Sequence, residues 1–232
     1  MMKQFAFIGF LTCLIALPLF YFYGRSVWHP IYIKFQGGKS VTEVIEKLET
    51  EQNLVFDASR FEKMIILGLK SERSLEIWGA THEDEIKWIT SFPFTAYSGE
   101  LGPKLREGDL QIPEGIYTIE YLNPNSSYHL SMKINYPNQF DRAKGKADGR
   151  TDLGSNIFIH GKSVTVGCIP IGDPSIEKLF HMVSEMGIEN VDVIISPYDM
   201  REGIRELEIE SVDWEDELYP KIRKAMEPLR RE

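Results

Sequence analysis

Residues 156–169 read NIFIHGKSVTVGCI, an apolar, β-rich run that ends at His160, followed by a glycine-containing segment that leads to Cys168. The run 156–160 predicts a buried strand. The second cysteine of the chain, Cys13, lies in an apolar N-terminal segment, so Cys168 has no intramolecular disulfide partner. The thiolate is the reactive form of cysteine, and a nearby imidazole accepts its proton. The stretch therefore predicts a cysteine nucleophile with a histidine base.

A simpler interpretation of Cys168 stays open at this point. Free cysteine is among the most buried residue types and often serves as a small core hydrophobe. The compartment argues for chemistry, because paired cysteines are the norm in oxidising spaces outside the cytoplasm. If the chain is exported, a lone thiol is better explained by a chemical role.

The N-terminal segment predicts export. Residues 5–23, FAFIGFLTCLIALPLFYFY, carry no charge. A helix of this length reaches about 28 Å, close to the roughly 30 Å hydrocarbon core of a bilayer. A secretory signal has a shorter apolar region and a small-residue cleavage site. We therefore expect residues 1–25 to be an uncleaved membrane anchor, with a cleaved signal segment as the alternative.

The residues after this segment predict a mainly β domain. Residues 26–59 are expected to form a linker with a short amphipathic helix over 40–50. Short β-rich segments bounded by Gly, Pro and Asn predict strands. These segments are 63–69, 74–79, 86–97, 115–121, 128–134, 156–160 and 191–197.

Helices are predicted after the cysteine. Asp173 is a favourable N-cap, Pro174 suits the first helical position, and Gly187 ends the helix. The charged extension 201–232 is expected to be helical, with an apolar face formed by Trp214, Leu218 and Ile222. Together these elements indicate an α+β fold, mainly β with packed helices.

Composition narrows the function. The formal net charge of −9 argues against a nucleic-acid-binding protein. His82 and His181 have no metal-ligand partner at a useful spacing in the sequence, so we expect no metal, and we expect no organic cofactor.

The proposed chemistry sets a geometric condition. If His160 began a plain hairpin, the returning strand would leave Cys168 about 13 Å away. The segment 161–168 must therefore curl back as a loop, which Gly161 and Gly167 permit. In that loop His160 would be the base, Cys168 the nucleophile, and the backbone N–H groups of 166–168 the oxyanion donors. The carbonyl of Gly161 or the carboxylate of Asp152 would orient the imidazole.

These motifs resemble a known family. His160-Gly161 followed by Thr165-Val166-Gly167-Cys168 is similar to the signature of the YkuD-type L,D-transpeptidases. Further segments resemble the YafK-like branch of that family, and the resemblance covers roughly residues 60–200. These segments are 96–104, 107–109, 113–117, 123–129 and 136–138.

The resemblance implies an L,D-transpeptidase-like β-sandwich or barrel over residues 60–200 and an enzyme of the cell wall. In this family the cysteine attacks the amide after the L-centre of diaminopimelate in a peptidoglycan stem peptide, which gives a thioester. Water or an amine resolves it, and the YafK-like branch is associated with water and with release of wall-attached outer-membrane lipoprotein. The implied location is the periplasm, with residues 5–23 in the inner membrane. Transpeptidation and a non-catalytic peptidoglycan-binding module remain the alternatives.

Substrate-binding residues are expected near this motif. Arg150 has a guanidinium that suits a bidentate carboxylate contact. His129 either meets the substrate or is a structural histidine. Thr165 and Val166 precede the cysteine, and Val166, which stands where most of the family has a second histidine, offers only its backbone.

Overall fold

The computed structural model describes residue 20, residues 24–203 and residues 212–231. Apart from residue 20, the predicted anchor at 5–23 lies outside the described residues. Within them, no helix has the length and apolar character needed to cross a membrane.

The described residues form eight strands and five helices. The strands are β1 Lys63–Leu69, β2 Ser74–Ala80, β3 Ile86–Pro93, β4 Gly115–Ser126, β5 His129–Ile134, β6 Phe158–His160, β7 Ile169–Pro170 and β8 Val191–Ser196. The helices are α1 Arg25–Gln36, α2 Val41–Gln52, α3 Gln139–Ala147, α4 Asp173–Met186 and α5 Glu215–Met226.

The strands are hydrogen-bonded in the order β3-β2-β1-β8-β4-β5-β6-β7. The long strand β4 joins the two halves of this sheet, since Gly115–Thr118 pair with β8 and later residues pair with β5. The β1–β8 and β6–β7 pairs are parallel, and the other pairs are antiparallel. This arrangement confirms the α+β class, while the sandwich or barrel form stays a prediction.

Side chains of β1 point alternately to two apolar clusters, as the period of a strand requires. Met64 and Ile66 belong to a cluster that includes residues of α2 and α4. Leu67 and Leu69 belong to a second cluster, built with α5. Helices therefore cover both faces of the sheet at β1, and each fully buried apolar side chain contributes about 1.5–3 kcal/mol.

The C-terminal helix is part of this core. Trp214, Leu218 and Ile222, the apolar face predicted from the sequence, are all buried in the second cluster. Residues 204–211 of the predicted extension lie outside the described residues.

The predicted N-cap of α4 was wrong. The helix begins with Asp173 as its first residue, and Gly172, with φ +77°, is the N-cap. The Asp173 carboxylate instead accepts a hydrogen bond from the backbone N–H of Lys162, at 2.9 Å. The loop before Cys168 is thereby tied to the first turn of α4.

Candidate active site

The loop that joins His160 to Cys168 connects two parallel strands. Ile159 pairs with Ile169, and His160 pairs with Pro170. By this register Cys168 stands opposite Phe158, two residues from His160, so the Cα atoms of the catalytic candidates are about 8 Å apart. Alternation also places His160 and Cys168 on the same side of the strand pair. The parallel pairing meets the condition that a plain hairpin would fail.

Both loop glycines lie where a side chain has no space. A Cβ on Gly161 would come within 2.6 Å of Asp173 Oδ1 and 2.7 Å of the Tyr128 carbonyl. Gly167 has φ +117°, and a Cβ there would lie 3.0 Å from the Gln111 carbonyl. The two glycines therefore permit the close approach of the loop to neighbouring backbone.

Thr165 holds the turn that presents the cysteine. Its Oγ1 accepts hydrogen bonds from the N–H groups of Gly167 (3.2 Å) and Cys168 (2.9 Å), and donates to the Cys168 carbonyl (2.7 Å). The N–H of Gly167 also donates to Ser98 Oγ at 2.8 Å. Two of the predicted oxyanion donors are thus engaged by hydroxyl groups, which an oxyanion would have to displace.

His160 is 2% exposed, and its ring is fixed from two sides. Nδ1 lies 2.5 Å from the Gly161 carbonyl, which confirms one of the two predicted orienting groups. Because a carbonyl only accepts, Nδ1 carries the proton and Nε2 keeps its lone pair. The ring of Tyr128 lies against the imidazole, with centroids 4.8 Å apart.

Burial keeps both reactive groups neutral near pH 7. It lowers the pKa of His160, against a smaller opposite effect of the Gly161 hydrogen bond. It raises the pKa of the half-buried Cys168 thiol, against smaller effects of a hydrogen bond from the Phe158 backbone and of the Lys104 charge. The site therefore holds a thiol and a neutral imidazole rather than a preformed ion pair.

The thiol does not yet contact the base. Its hydrogen bond among the described residues goes to the Asn156 carbonyl, at a long 3.7 Å. Catalytic hydrogen bonds are often long in substrate-free enzymes and tighten when the substrate binds. Rotation of the Cys168 side chain toward Nε2 is the movement that this mechanism needs.

The other predicted substrate residues have protein partners. His129 lies beside Gly161, and its Nε2 is 2.6 Å from Glu177 Oε1. Arg150 donates to Asp148 and to the Leu105 carbonyl, which occupies its fork.

Arg150 also lines a cleft of about 600 Å³, together with Arg106 and Gln111. Gln111 connects this cleft to the nucleophile turn, because its carbonyl approaches Gly167. Val166 is 74% exposed beside the cysteine.

One possible metal cluster occurs among the described residues, away from this turn. Ligand atoms of Glu49, His181 and Glu185 lie within 4.8 Å of one another between α2 and α4. Sequence spacing did not reveal this cluster, because Glu49 comes from a different helix. His181 Nε2 is already 3.1 Å from Glu49 Oε1, and the absence of a metal stays a prediction.

Comparison with known proteins agrees with the motifs. Residues 82–195 match the family model for the L,D-transpeptidase catalytic domain, YkuD. Over 139 residues the chain is 34% identical to the Escherichia coli K12 protein named "Putative L,D-transpeptidase YafK", and equally so to its O157:H7 counterpart. This match covers 58% of the chain and 54% of the relative, so the chain spans about half the length of these curated relatives.

Solved structures show weaker likeness. The cell shape determining protein Pgp2 from Campylobacter jejuni gives a TM-score of 0.49 at 22% identity, covering 69% of this chain and 56% of that one. Bd1075 from Bdellovibrio bacteriovorus gives 0.45 at 23% identity, covering 73% and 56%. L,D-transpeptidase 1 from Mycobacterium tuberculosis gives 0.33 at 12% identity, covering 58% and 62%.

The motif, the match and the identity support one assignment. Residues 82–195 belong to the YkuD family of L,D-transpeptidase catalytic domains, and the sequence likeness is to YafK.

Proposed function

We propose that the chain is a cysteine-dependent peptidoglycan enzyme that acts through a thioester at the diaminopimelate amide of stem peptides. The geometry of His160 carries the proposal. Its Nδ1 is committed to the Gly161 carbonyl, which leaves Nε2 as a base on the face that Cys168 shares. The family membership of residues 82–195 supports the same chemistry.

The step follows from two neutral groups. Nε2 of His160 takes the proton of Cys168 as Sγ attacks the carbonyl carbon, so no buried ion pair exists before the substrate arrives. When the tetrahedral intermediate collapses, the C–N bond breaks, and the imidazolium returns its proton to the leaving amine. Water or another amine then attacks the thioester and releases Sγ.

Hydrolysis of the link between peptidoglycan and lipoprotein is the preferred outcome, with transpeptidation as the alternative. The preference comes from the likeness to YafK-type sequences, over which the chain is 34% identical. We also propose that the enzyme works in the periplasm, anchored in the inner membrane by residues 5–23, because its substrate lies there.

A non-catalytic peptidoglycan-binding module is the second candidate. Two observations favour it: burial raises the pKa of Cys168, and hydroxyl groups engage the N–H groups of Gly167 and Cys168. Such a module would bind stem peptides and leave them intact.

One assay separates these candidates. Full-length protein, the Cys168→Ala variant and a Cys13→Ala control are incubated with sacculi that carry covalently bound lipoprotein, and the products are read by mass spectrometry. Released lipoprotein that ends in a diaminopimelate remnant, absent only with Cys168→Ala, supports the amidase. New diaminopimelate cross-links or newly attached amines indicate the transpeptidase. Binding without any product, from folded protein, favours the module.

A further inference from the structure

Lys104 is a buried cation behind the nucleophile turn. The residue is 5% exposed, and its Nζ donates to Asp109 Oδ1 (2.6 Å) and to the Arg106 carbonyl (2.9 Å). A buried ammonium costs several kcal/mol unless it is paired and hydrogen-bonded. Such a group calls for an explanation beyond packing.

Its partner Asp109 organises the surrounding loop. The carboxylate accepts hydrogen bonds from the backbone N–H groups of Leu105 (2.8 Å), Arg106 (2.9 Å) and Gln111 (3.0 Å). Burial raises the pKa of Asp109, but these bonds and the one from Lys104 together hold it below its ordinary value. The pair therefore fixes residues 104–111 as an ionic cluster.

This loop is the wall against which the cysteine turn packs. The Gln111 carbonyl approaches Gly167 so closely that a Cβ at that position would lie only 3.0 Å from the carbonyl oxygen. Ser98 joins the same two segments, because its Oγ accepts from the Gly167 N–H and donates to the Leu110 carbonyl at 2.9 Å. The conformation of 104–111 thereby sets the position of the residue next to the nucleophile.

The Lys104 charge also acts on the sulfur. Among the described side chains, the Lys104 ammonium is the charge that lowers the pKa of Cys168, against the larger effect of burial. Low local dielectric strengthens such an interaction between buried groups.

We propose that Lys104 is a positioning residue for thioester formation: with Asp109 it holds the loop behind the nucleophile turn, and its charge stabilises the thiolate that develops there. This inference rests on the proposed function of Cys168 as nucleophile. Asp109 fixes the ammonium, so the charge stays behind the sulfur throughout the reaction.

The test measures the thiol itself. In a full-length Cys13→Ala background, Cys168 is the remaining thiol, and its rate of alkylation by iodoacetamide is followed from pH 6 to pH 11. Lys104→Gln keeps a hydrogen-bond donor and removes the charge, Lys104→Met removes both, and Lys104→Arg keeps the charge. Circular dichroism establishes which variants fold.

We expect Lys104→Gln to move the alkylation midpoint upward by about one pH unit, so the rate below the midpoint falls about tenfold. Lys104→Met should show at least the same shift, and Lys104→Arg should restore the parental midpoint. An unchanged midpoint in folded Lys104→Gln, or an equal shift in Lys104→Arg, would overturn the proposal.

The readout needs no substrate, so it is separate from the proposed function. A shifted midpoint in an enzyme that leaves sacculi unchanged would retain the electrostatic role of Lys104 and refute catalysis. Product formation together with an unchanged midpoint would do the reverse. If Lys104→Met does not fold, Lys104→Gln and Lys104→Arg decide the result.

Discussion

Two buried lysine–carboxylate pairs hold the segment between residues 98 and 114, and they differ in what surrounds them. Lys70 Nζ donates to Glu114 Oε1 (2.7 Å) and to the carbonyls of Gly102 (2.7 Å) and Ile112 (3.0 Å). Glu114 Oε2 accepts from the Tyr219 hydroxyl at 2.9 Å. This pair ties the segment to the end of β1 and to α5.

The pair of Lys104 and Asp109 ties the same segment to the nucleophile turn instead. Around Lys70 the described donors and acceptors satisfy one another within the core. Around Cys168, the sulfur has one long contact, and Nε2 of His160 faces the site with its lone pair. One end of the segment therefore maintains the fold and the other keeps reactive atoms available, so stability and activity should respond to different substitutions.

The largest separation is expected for Cys168→Ala. Turnover should fall at least about a thousandfold, because no other group supplies the nucleophile. The free energy of unfolding should change by less than about 1 kcal/mol, since the thiol is half-buried and weakly bonded. Turnover on muropeptides and urea denaturation measure the two effects. Retained turnover would break the comparison at its reactive end.

Lys70→Met should act in the opposite way. Removal of one partner leaves Glu114 buried and uncompensated, which costs about 3–5 kcal/mol of unfolding free energy. Activity per folded molecule should stay at the wild-type level.

The double variant Lys70→Met with Glu114→Gln is the matched control for urea denaturation. It should recover much of the lost stability, because no unpaired charge remains. Wild-type stability in the single variant would contradict a structural role for this pair.

The pH dependence sharpens the reactive end. Burial holds the pKa of His160 below its ordinary 6.5, so the base is neutral at pH 7 and becomes protonated only in more acidic solution. Values of kcat/KM should fall about tenfold per pH unit below that pKa and stay level from neutral pH upward. His160→Gln should lose this acidic limb along with most activity. A limb centred above pH 6.5 would refute His160 as a buried neutral base.

The same shift has a consequence for stability. Because the folded pKa lies below the unfolded value, the unfolded chain binds the proton more readily. This contribution is fully present above the unfolded pKa and is lost as the pH falls through the folded pKa. His160→Gln should reduce that loss in denaturation curves measured between pH 7 and pH 4.

Tyr128→Leu should have a smaller effect. The tyrosine ring covers one side of His160, and such aromatic contacts are worth about 0.5–1.5 kcal/mol, or about 2- to 12-fold in kcat/KM. Tyr128→Phe keeps the ring and should retain wild-type kinetics. Equal losses in both variants would assign the effect to the hydroxyl instead of the ring contact.

His129→Gln should have the smallest effect. The imidazole pairs with Glu177 in a partly exposed contact, where ion pairs contribute about 0–1 kcal/mol. We expect a slight loss of stability and an unchanged KM, measured with muropeptides over a range of concentrations. A large rise in KM would place His129 in contact with substrate and extend the reactive region to β5.

Local patterns predicted most elements of the fold. Alternation of side chains found β1 and β2 within one residue of their bounds, and the apolar spacing of the last helix found its buried face. The segment 86–97 was predicted too long, because β3 ends at Pro93. Proline cannot donate to the ladder, which explains the end of the strand.

Pairing between distant segments could not be predicted in this way. His160 and Cys168 were found from their types and spacing, but the parallel pairing of β6 with β7 depends on contacts that periodicity does not record. Ser98 and Lys104 were missed because they lie more than sixty residues before the nucleophile. Thr165 was expected at the substrate, and only the folded turn shows that its hydroxyl bonds three backbone groups.

The most direct test is to trap the thioester. Full-length enzyme and the Cys168→Ala variant are mixed with a tetrapeptide muropeptide, quenched in acid after milliseconds to seconds, and analysed by intact-protein mass spectrometry and peptide mapping. We predict an acyl adduct on Cys168 in the wild type, formed and lost at rates that match turnover, and no adduct in the variant. Product formation by the Cys168→Ala variant, or wild-type turnover without a kinetically competent adduct on Cys168, would contradict the thioester mechanism.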